Sequence, residues 1–173
     1  MMTASFPVPE TPSLWQIIAC VAKTLGGEHF PSGDRAALKR MAPDRPPPLA
    51  FYRFAFRELP DGWEKQRGSW QTLIAGIALS ANQGNPHNRN RPLGRVLAEQ
   101  GYSEARLERL LAARSETLET LLLRAIRYLV AKGECLDWTD CARLLLDSED
   151  GKREEIRREI AGDYYRNLKE NRE

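Results

Sequence analysis

Residues 115–133 read SETLETLLLRAIRYLVAKG, and this stretch decides the fold class. Its apolar residues recur every three or four positions, which is the spacing of one face of an amphipathic helix. The apolar positions are Leu118, Leu121, Leu122, Ala125, Ile126 and Leu129. The pattern stops at Lys132 and Gly133, a common way for a helix to end. The stretch therefore predicts a long helix with one buried side.

The same helical spacing recurs on both sides of this stretch. On the C-terminal side it predicts a helix that begins near Asp137, followed by a charged terminal helix with Ile156, Ile160, Tyr164 and Leu168 inward. On the N-terminal side it predicts helices over residues 14–25, 32–41, 49–59 and 70–81, then two more after Pro92 and Ser103. No run alternates apolar and polar residues as a strand would. The sequence therefore predicts an all-α protein of about eight or nine helices, as one helical bundle or two small helical subdomains.

The distribution of proline divides the chain. All 11 prolines lie at or before Pro92, and residues 93–173 contain none. Because proline removes a backbone donor and disfavours helix in the residue before it, stiff connectors between short helices are expected up to Pro92. We predict a flexible N-terminus over residues 1–12, an N-terminal helical half over 13–92 and a C-terminal helical half over 93–173. The two halves are expected to form one compact unit.

Composition excludes several classes of protein. The 173 residues include 26 Lys plus Arg and 24 Asp plus Glu, so the net charge of +2 gives no overall attraction to nucleic acid. No segment approaches the roughly 18 consecutive apolar residues of a membrane span, and residues 1–10 lack the features of a signal peptide. The three cysteines contain no Cys-x-x-Cys pair. The sequence predicts a cytoplasmic protein without a metal, a cofactor or a membrane contact.

Residues suited to acid–base catalysis are scarce. His29 and His87 are the only histidines, and His87 lies near Arg89 and Arg91 in a polar loop over residues 82–91. That loop would suit either a nuclease with His87 as its base or a phosphate contact without chemistry, and we favour the second. The glutamate pairs lie on arginine-rich helices, which is typical of solvated faces. The sequence therefore predicts that the protein is not an enzyme.

Arginine is concentrated in three parts of the chain. Asp44 is the only acid among residues 35–57, which carry Arg35, Lys39, Arg40, Arg45, Arg53 and Arg57. The other two groups are Arg89, Arg91, Arg95, Arg106, Arg109 and Arg114, then Arg124 and Arg127. A row of guanidinium groups binds a polyanion without reading its bases. The alternative is that several of these arginines form ion pairs with Glu99, Glu104, Glu108 or Glu119. Acids are frequent in residues 147–173, so we expect an electrically polarised molecule.

Four short motifs occur in an order found in one family. They are Ala50-Phe51-Tyr52-Arg53, Gly62-Trp63-Glu64, Leu93-Gly94-Arg95-Val96-Leu97-Ala98, and Leu136-Asp137-Trp138 followed by Ala142-Arg143. With these motifs the chain resembles the CasB family, the small subunits of the type I-E CRISPR surveillance complex, Cascade. The similarity covers nearly the whole chain after residue 12.

The resemblance implies an all-helical, non-catalytic subunit that takes part in antiviral defence. Its partners would be the guide-RNA backbone and large subunits of Cascade and a second copy of itself, as a homodimer within the complex. Its basic surface would bind crRNA, target DNA and the displaced single-stranded DNA without sequence preference. Because R-loop formation is a nearly balanced strand exchange, such backbone contacts would stabilise the R-loop. The alternative is a helical protein–protein adaptor without direct nucleic-acid contact.

The motifs also imply which residues contact phosphate. Carried over residue by residue, the first candidates for RNA and DNA binding are Arg53, Arg95, Arg106 and Arg143. Charge alone adds Arg89, Arg91, Arg114, Arg124, Arg127, Lys39 and Arg40. The aromatic motif residues Phe51, Tyr52, Trp63 and Trp138 are expected to lie in the core instead.

Overall fold

A computed structural model describes residues 10–82 and 84–170 of the chain. Within them the chain forms helices α1 Leu14–Leu25, α2 Ser32–Lys39, α3 Leu49–Glu58, α4 Arg67–Ser80, α5 Leu93–Glu99, α6 Glu104–Ala112, α7 Ser115–Ala131, α8 Trp138–Leu146 and α9 Asp150–Glu170. A 3₁₀ helix over Trp63–Gln66 leads into α4, and the only extended pairing in these ranges is one isolated bridge between His87 and Leu136. The all-α prediction is confirmed. No helix in the described part of the chain is both long and apolar enough to cross a membrane.

Helix α4 lies at the centre of the fold. Every residue from Trp70 to Ala78 is buried, and α4 packs against α1, α2, α7 and α8. The helical spacing over residues 70–81 predicts an apolar stripe of Trp70, Leu73, Ile74, Ile77 and Ala81, and all five are buried. Polar residues on the other side of the helix are buried too, which the spacing does not predict. Gln71 is one of them, and its Nε2 donates to the backbone oxygens of Ala42 at 2.7 Å and Arg45 at 2.9 Å. Those bonds offset the cost of burying an amide.

Helices α5 and α9 pack together more closely than side chains normally allow. A Cβ atom added to Gly94 would lie only 2.1 Å from the backbone oxygen of Ile160. Ile156, Ile160 and Tyr164 are buried on the facing side of α9, as their spacing predicts. The Tyr164 hydroxyl donates to the backbone oxygen of Tyr102 at 2.6 Å. The absence of a side chain at Gly94 therefore fixes how close the last helix lies to α5.

Helices from both sides of Pro92 pack against each other. Helix α1 contacts α8, and α4 contacts both α7 and α8. The division at Pro92 stays a prediction. Residues 1–9 of the predicted flexible N-terminus lie outside the described residues, and the described chain begins at Glu10.

Side-chain caps stand at the start of two helices that the sequence places after Ser103 and near Asp137. The Ser103 hydroxyl accepts from the Arg106 backbone N–H at the start of α6, and the Asp137 carboxylate accepts from the Thr139 N–H at the start of α8. Each cap satisfies a backbone donor that the first turn of a helix leaves without a partner. These caps set the first residue of α6 and of α8, and α6 carries two of the arginines considered next.

Candidate nucleic-acid interface

A basic cleft lies between α6 and α7. We call it the α6–α7 cleft, and its volume is about 370 Å³. It is lined by Tyr102, Arg106, Arg109, Leu121, Arg124 and Tyr128. Arg106 and Arg109 are three residues apart on α6, whereas Arg124 and Tyr128 are four apart on α7, so each pair faces the cleft from one side of its helix. The structure thus brings two of the predicted site residues, Arg106 and Arg124, into one concave surface.

Two tyrosines form the wall behind Arg106. The rings of Tyr102 and Tyr128 are in edge contact with their centroids 5.6 Å apart, and the Arg106 guanidinium lies 5.8 Å from each centroid. The Tyr128 hydroxyl donates to the backbone oxygen of Gln100 at 2.5 Å, which fixes the ring. Burial raises the pKa of the Tyr102 hydroxyl despite the opposing charge of Arg106, so this ring stays neutral. Cation–π attraction thus holds the Arg106 guanidinium over neutral aromatic rings.

The arginines of this cleft have no acidic partner. No carboxylate lines the cleft, and Arg106, Arg109 and Arg124 form no ion pair with the side chains described over residues 10–82 and 84–168. Arg127, exposed one turn away from Arg124 on α7, is likewise without an ion pair to the described residues. Lys132 adds a further cation, with its Nζ 5.2 Å from the Tyr128 ring centroid. These guanidinium donors are therefore available to an external anion such as a phosphate group.

Four of the predicted site arginines instead form ion pairs within the chain. Arg53 contacts Asp34 at 2.7 Å and Arg95 contacts Glu99 at 2.7 Å. Arg143 forms two parallel bonds to Glu159, at 2.5 and 3.2 Å. Arg91 bridges Glu99 at 2.6 Å and Glu134. Glu99 thus acts as the ion-pair partner that the sequence allowed. Glu104, Glu108 and Glu119 form no such pair within the described ranges.

These ion pairs change the pKa values of their members. Burial works against both charges in the Arg91–Glu99 pair, but the hydrogen bonds between them and to their neighbours outweigh it, so the pKa of Arg91 is raised and that of Glu99 is lowered. The hydrogen bond between Arg143 and Glu159 raises the pKa of Arg143 and lowers that of Glu159. Both arginines therefore have part of their charge already compensated within the protein.

The remaining predicted cations lie in other parts of the fold. Lys39 donates to the Asn82 side chain at 2.8 Å, and Arg40 is exposed at the end of α2. The Arg89 guanidinium lies 4.8 Å from the ring centroid of Trp15. Arg114 is the residue before α7 and lines a second cleft, described below. The eleven predicted residues are therefore distributed over several surfaces. The α6–α7 cleft brings two of them, Arg106 and Arg124, together in a lining without acids.

His87 has a structural contact rather than a position open to substrate. Its side chain is only 6% exposed, and its Nδ1 accepts from the Trp138 backbone N–H at 3.1 Å. Burial lowers the pKa of His87, and the Asp137 carboxylate opposes this shift only in part. The neutral imidazole thus stabilises the start of α8. The phosphate contact predicted for the loop over residues 82–91 therefore does not include the His87 side chain. The buried ring also gives no support to the nuclease alternative.

The aromatic motif residues lie where the sequence predicts. Phe51, Trp63 and Trp138 are buried, and the half-buried Tyr52 packs against the core. Arg109, Lys132 and the two tyrosines of the cleft are not among the residues that the sequence predicts for the site. Their signal is present in the sequence, because these cations and tyrosines recur at three- and four-residue spacing, over residues 102–109 and again over residues 124–132.

Comparison with known proteins gives a family and a fold. The model of the family described as CRISPR-associated protein Cse2 matches residues 34–165, about three quarters of the chain. A chain from a structure described as "CRISPR RNA-guided surveillance complex" has a TM-score of 0.65 and 23% identity, with 91% of this chain and 96% of that chain covered. Another, described as "CRISPR RNA-guided surveillance complex, pre-nicking", has a TM-score of 0.67 and 21% identity over the same shares. No curated protein matches.

Proposed function

The chain belongs to the Cse2 (CasB) family of CRISPR-associated proteins, and on that premise we propose that it is a non-catalytic subunit of an RNA-guided surveillance complex. The two structures that share its fold are described as such complexes, which supports this role. Its partners in the proposal are the guide-RNA backbone and large subunits and a second copy of the chain. Within the complex its task is to hold nucleic acid, not to cleave it.

The α6–α7 cleft is the surface that we propose for this contact. Arg106, Arg109 and Arg124 project guanidinium donors into it, and no carboxylate competes for them. Such donors bind the phosphates of crRNA, target DNA or the displaced single strand by releasing condensed counterions, without reading bases. Since opening a DNA duplex against a guide RNA is nearly balanced in free energy, a few phosphate contacts are enough to stabilise the R-loop.

The observation that carries this proposal is the absence of ion pairs at the arginines of the α6–α7 cleft. An arginine that is already paired must give up its internal carboxylate before it binds phosphate at full strength. This applies to Arg53, Arg91, Arg95 and Arg143. The three arginines of the cleft have no such partner to give up. Displacing an existing partner reduces the net gain from a new charge-assisted bond. We therefore expect the unpaired arginines to contribute most to affinity.

The test is a salt titration of nucleic-acid binding by fluorescence anisotropy. Arg124→Gln is compared with Arg158→Gln, which removes the same charge from an exposed position outside the cleft. Arg124→Gln should weaken binding at least about fivefold for unrelated sequences of single-stranded DNA and RNA, and it should reduce the slope of log K against log salt by roughly one. Arg158→Gln should leave both values close to wild type. An equal loss in the two variants, or a loss that depends on sequence, would contradict the assignment of this cleft.

The second candidate function is a protein–protein adaptor without nucleic-acid contact. It is favoured by the exposure of two large apolar side chains on α3, Leu49 at 74% and Phe56 at 72%. They are two helical turns apart and so lie on one face. Anisotropy that stays flat for DNA and RNA, with both the isolated chain and the assembled complex, would favour the adaptor.

A further inference from the structure

A second basic cleft lies where the N-terminal ends of α4 and α7 meet α9. Its volume is about 280 Å³, and we call it the α4–α7–α9 cleft. Five cations line it, namely Lys65, Arg67, Arg114, Arg153 and Arg157. They come from three separate segments of the chain, so the fold and not a local run of basic residues brings them together. Arg114 of this cleft precedes Arg124 of the α6–α7 cleft by ten residues, which is about 15 Å along α7.

The five cations lack carboxylate partners. None of them forms an ion pair with a residue in the described part of the chain. Arg153 donates through Nε to the Asp147 backbone oxygen at 2.5 Å, which leaves its two terminal nitrogens free. Arg157 makes a single long bond, 3.4 Å, to the backbone oxygen of Ala113, and its buried Nε has no acceptor. Guanidinium donors without acceptors, gathered in one concave site, are the usual basis of oxyanion binding.

Two helix ends add to the positive potential of the cleft. Helix α4 has 14 residues and α7 has 17, and both begin at its edge. Neither has a side-chain cap: Gln66 before α4 donates instead to the Leu146 backbone oxygen at 2.8 Å, and Arg114 before α7 carries no acceptor. The first-turn N–H groups of these helices are therefore not covered by a side-chain oxygen. Such groups carry partial positive charge and favour anions.

Two carboxylates in the cleft do not cancel this charge. Glu119 is only 8% exposed and accepts from the Ser69 hydroxyl at 3.1 Å, while Glu116 is exposed near the rim. Gly68 makes room for Glu119, because a Cβ at that position would lie 2.8 Å from the carboxylate oxygen. Burial raises the pKa of Glu119, although its bond from Ser69 opposes the shift. With five cations against two acids, the cleft keeps an excess of positive charge.

We propose that the α4–α7–α9 cleft binds a terminal phosphate, the phosphomonoester group of a nucleotide or of an oligonucleotide end. A terminal phosphate is a compact anion of nearly two charges, which suits five cations around a small concave site. An internal phosphodiester carries one charge and is flanked by bulky sugars on both sides, so it suits an open groove better. This inference concerns a different surface from the α6–α7 cleft and does not depend on the proposed function.

Calorimetric titration of the full chain tests the site directly. The probes are inorganic phosphate, a nucleoside monophosphate and the matching nucleoside, together with one oligonucleotide carrying either a 5′-phosphate or a 5′-hydroxyl. We expect the monophosphate to bind and the nucleoside not to bind. Arg67→Gln and Arg157→Gln should each weaken the binding of the monophosphate at least about tenfold. The control Arg158→Gln should change its affinity by less than about twofold.

A change at Glu119 gives a prediction of opposite sign. Glu119→Gln removes a negative charge from the cleft and should tighten monophosphate binding by about threefold or more. Glu116→Gln, at an exposed position where folding is not at risk, should change the affinity in the same direction. Weaker binding of the monophosphate to both variants is the result expected if the cleft prefers positive charge, and it would overturn the proposal.

The oligonucleotide arms distinguish the source of the phosphate. Binding of both the free monophosphate and the 5′-phosphorylated strand supports a site for the group itself, whereas binding of the phosphorylated strand alone assigns it to strand ends. The proposal is overturned if inorganic phosphate and the monophosphate do not bind and the two strands bind equally. The 5′-hydroxyl strand reports separately on the α6–α7 cleft, so failure of one proposal does not imply failure of the other.

Discussion

Gly94 is the residue at which the contact between α5 and α9 is most sensitive to substitution. In Gly94→Ala the new methyl group would lie 2.1 Å from the Ile160 backbone oxygen, so the two helices must separate. We expect a loss of at least about 2 kcal/mol in unfolding free energy, measured by urea denaturation. The control is Gly151→Ala in the first turn of α9, where a Cβ meets nothing within 4 Å. That variant should be neutral or slightly stabilised, and equal losses in both would contradict the packing argument.

Asp140 makes folding depend on pH in a direction opposite to most carboxylates. It accepts from the Leu93 backbone N–H at 2.9 Å, and burial raises its pKa to about 6. The folded state therefore binds a proton that the unfolded state releases above about pH 4, so this contribution is largest below pH 4 and is lost as the pH rises through 6. Two pKa units correspond to roughly 3 kcal/mol.

Asp140→Asn should remove this dependence. Between pH 4.5 and 7, wild type should lose on the order of 2 kcal/mol of unfolding free energy relative to the variant, as measured by urea denaturation at each pH. Glu99 and Glu159 have lowered pKa values and therefore contribute stability that is lost as the pH falls. Because both proteins contain them, their contributions cancel when wild type is compared with the variant. Parallel pH profiles for the two proteins would show that Asp140 is not the group responsible.

Single residues were predictable from sequence where the cause is local. The Ser103 and Asp137 caps follow from the chemistry of a helix's first turn, and the structure has both. The position of His87 was not predictable, because its acceptor role depends on residues 87 and 138 meeting across the fold. The ion pairs of the arginines were likewise not predictable, because they join distant parts of the chain: Arg91 contacts Glu134, 43 residues away.

At the scale of elements, the positions of the helices were predictable from the spacing of apolar residues, but the buried residues of each helix were not always predictable from it. The predicted helices correspond to α1 through α9, because each carries its own apolar spacing and stop signal. Helix α4 shows where this reasoning fails: surrounded by four other helices, it buries residues that its sequence pattern places on a polar side. The 3₁₀ helix before it was not predicted either, since four residues are too few to show a period.

Arg91 links residues 84–92 to two other parts of the fold. Its guanidinium bonds to Glu99 of α5 and to Glu134 of the turn after α7, and all three side chains are less than one quarter exposed. Arg91→Gln leaves the partly buried Glu134 without a cation and Glu99 with Arg95 alone, and it should cost about 1–3 kcal/mol. Faster amide exchange over residues 84–92 should accompany the loss.

The matched control for this prediction is Arg95→Gln. Arg95 contacts Glu99 alone and its side chain is 45% exposed, so its removal should cost less than about 1 kcal/mol and leave the exchange of residues 84–92 unchanged. Equal effects from the two variants would indicate that the segment is held by its backbone bonds to Leu136 and Asp137 instead.

At the scale of the whole molecule, the predicted charge separation needs correction. Residues 147–173 were expected to form an acidic, solvated region, yet α9 contributes Arg153 and Arg157 to a basic cleft. The reason is geometric, since these two arginines are four residues apart and share one face of α9. Counting charges along a segment gives its net sign, but only the packing of the helix decides which sign faces each neighbour.

The two clefts should act independently. They share no lining residue, and Arg114 of one and Arg124 of the other are about 15 Å apart along α7, a separation at which substitutions usually do not couple. For a 5′-phosphorylated oligonucleotide of a few nucleotides, the fold-losses from Arg124→Gln and Arg67→Gln should multiply in the double variant, as measured by anisotropy. A double variant no weaker than the worse single one would show that the clefts hold one ligand jointly.

The contact between α5 and α9 also has a consequence for how the protein is made. Val96 and Leu97 on α5 are buried in the finished fold, where the chain packs against α9. During translation the ribosome reaches Ile160 only about 65 residues after Gly94, an interval of roughly 3–13 s. Throughout that interval a nascent chain carries α5 with its apolar side open to water, and it is then a target for chaperones and for aggregation. Slow synthesis between these two points should therefore lower the yield of folded protein more than slow synthesis elsewhere.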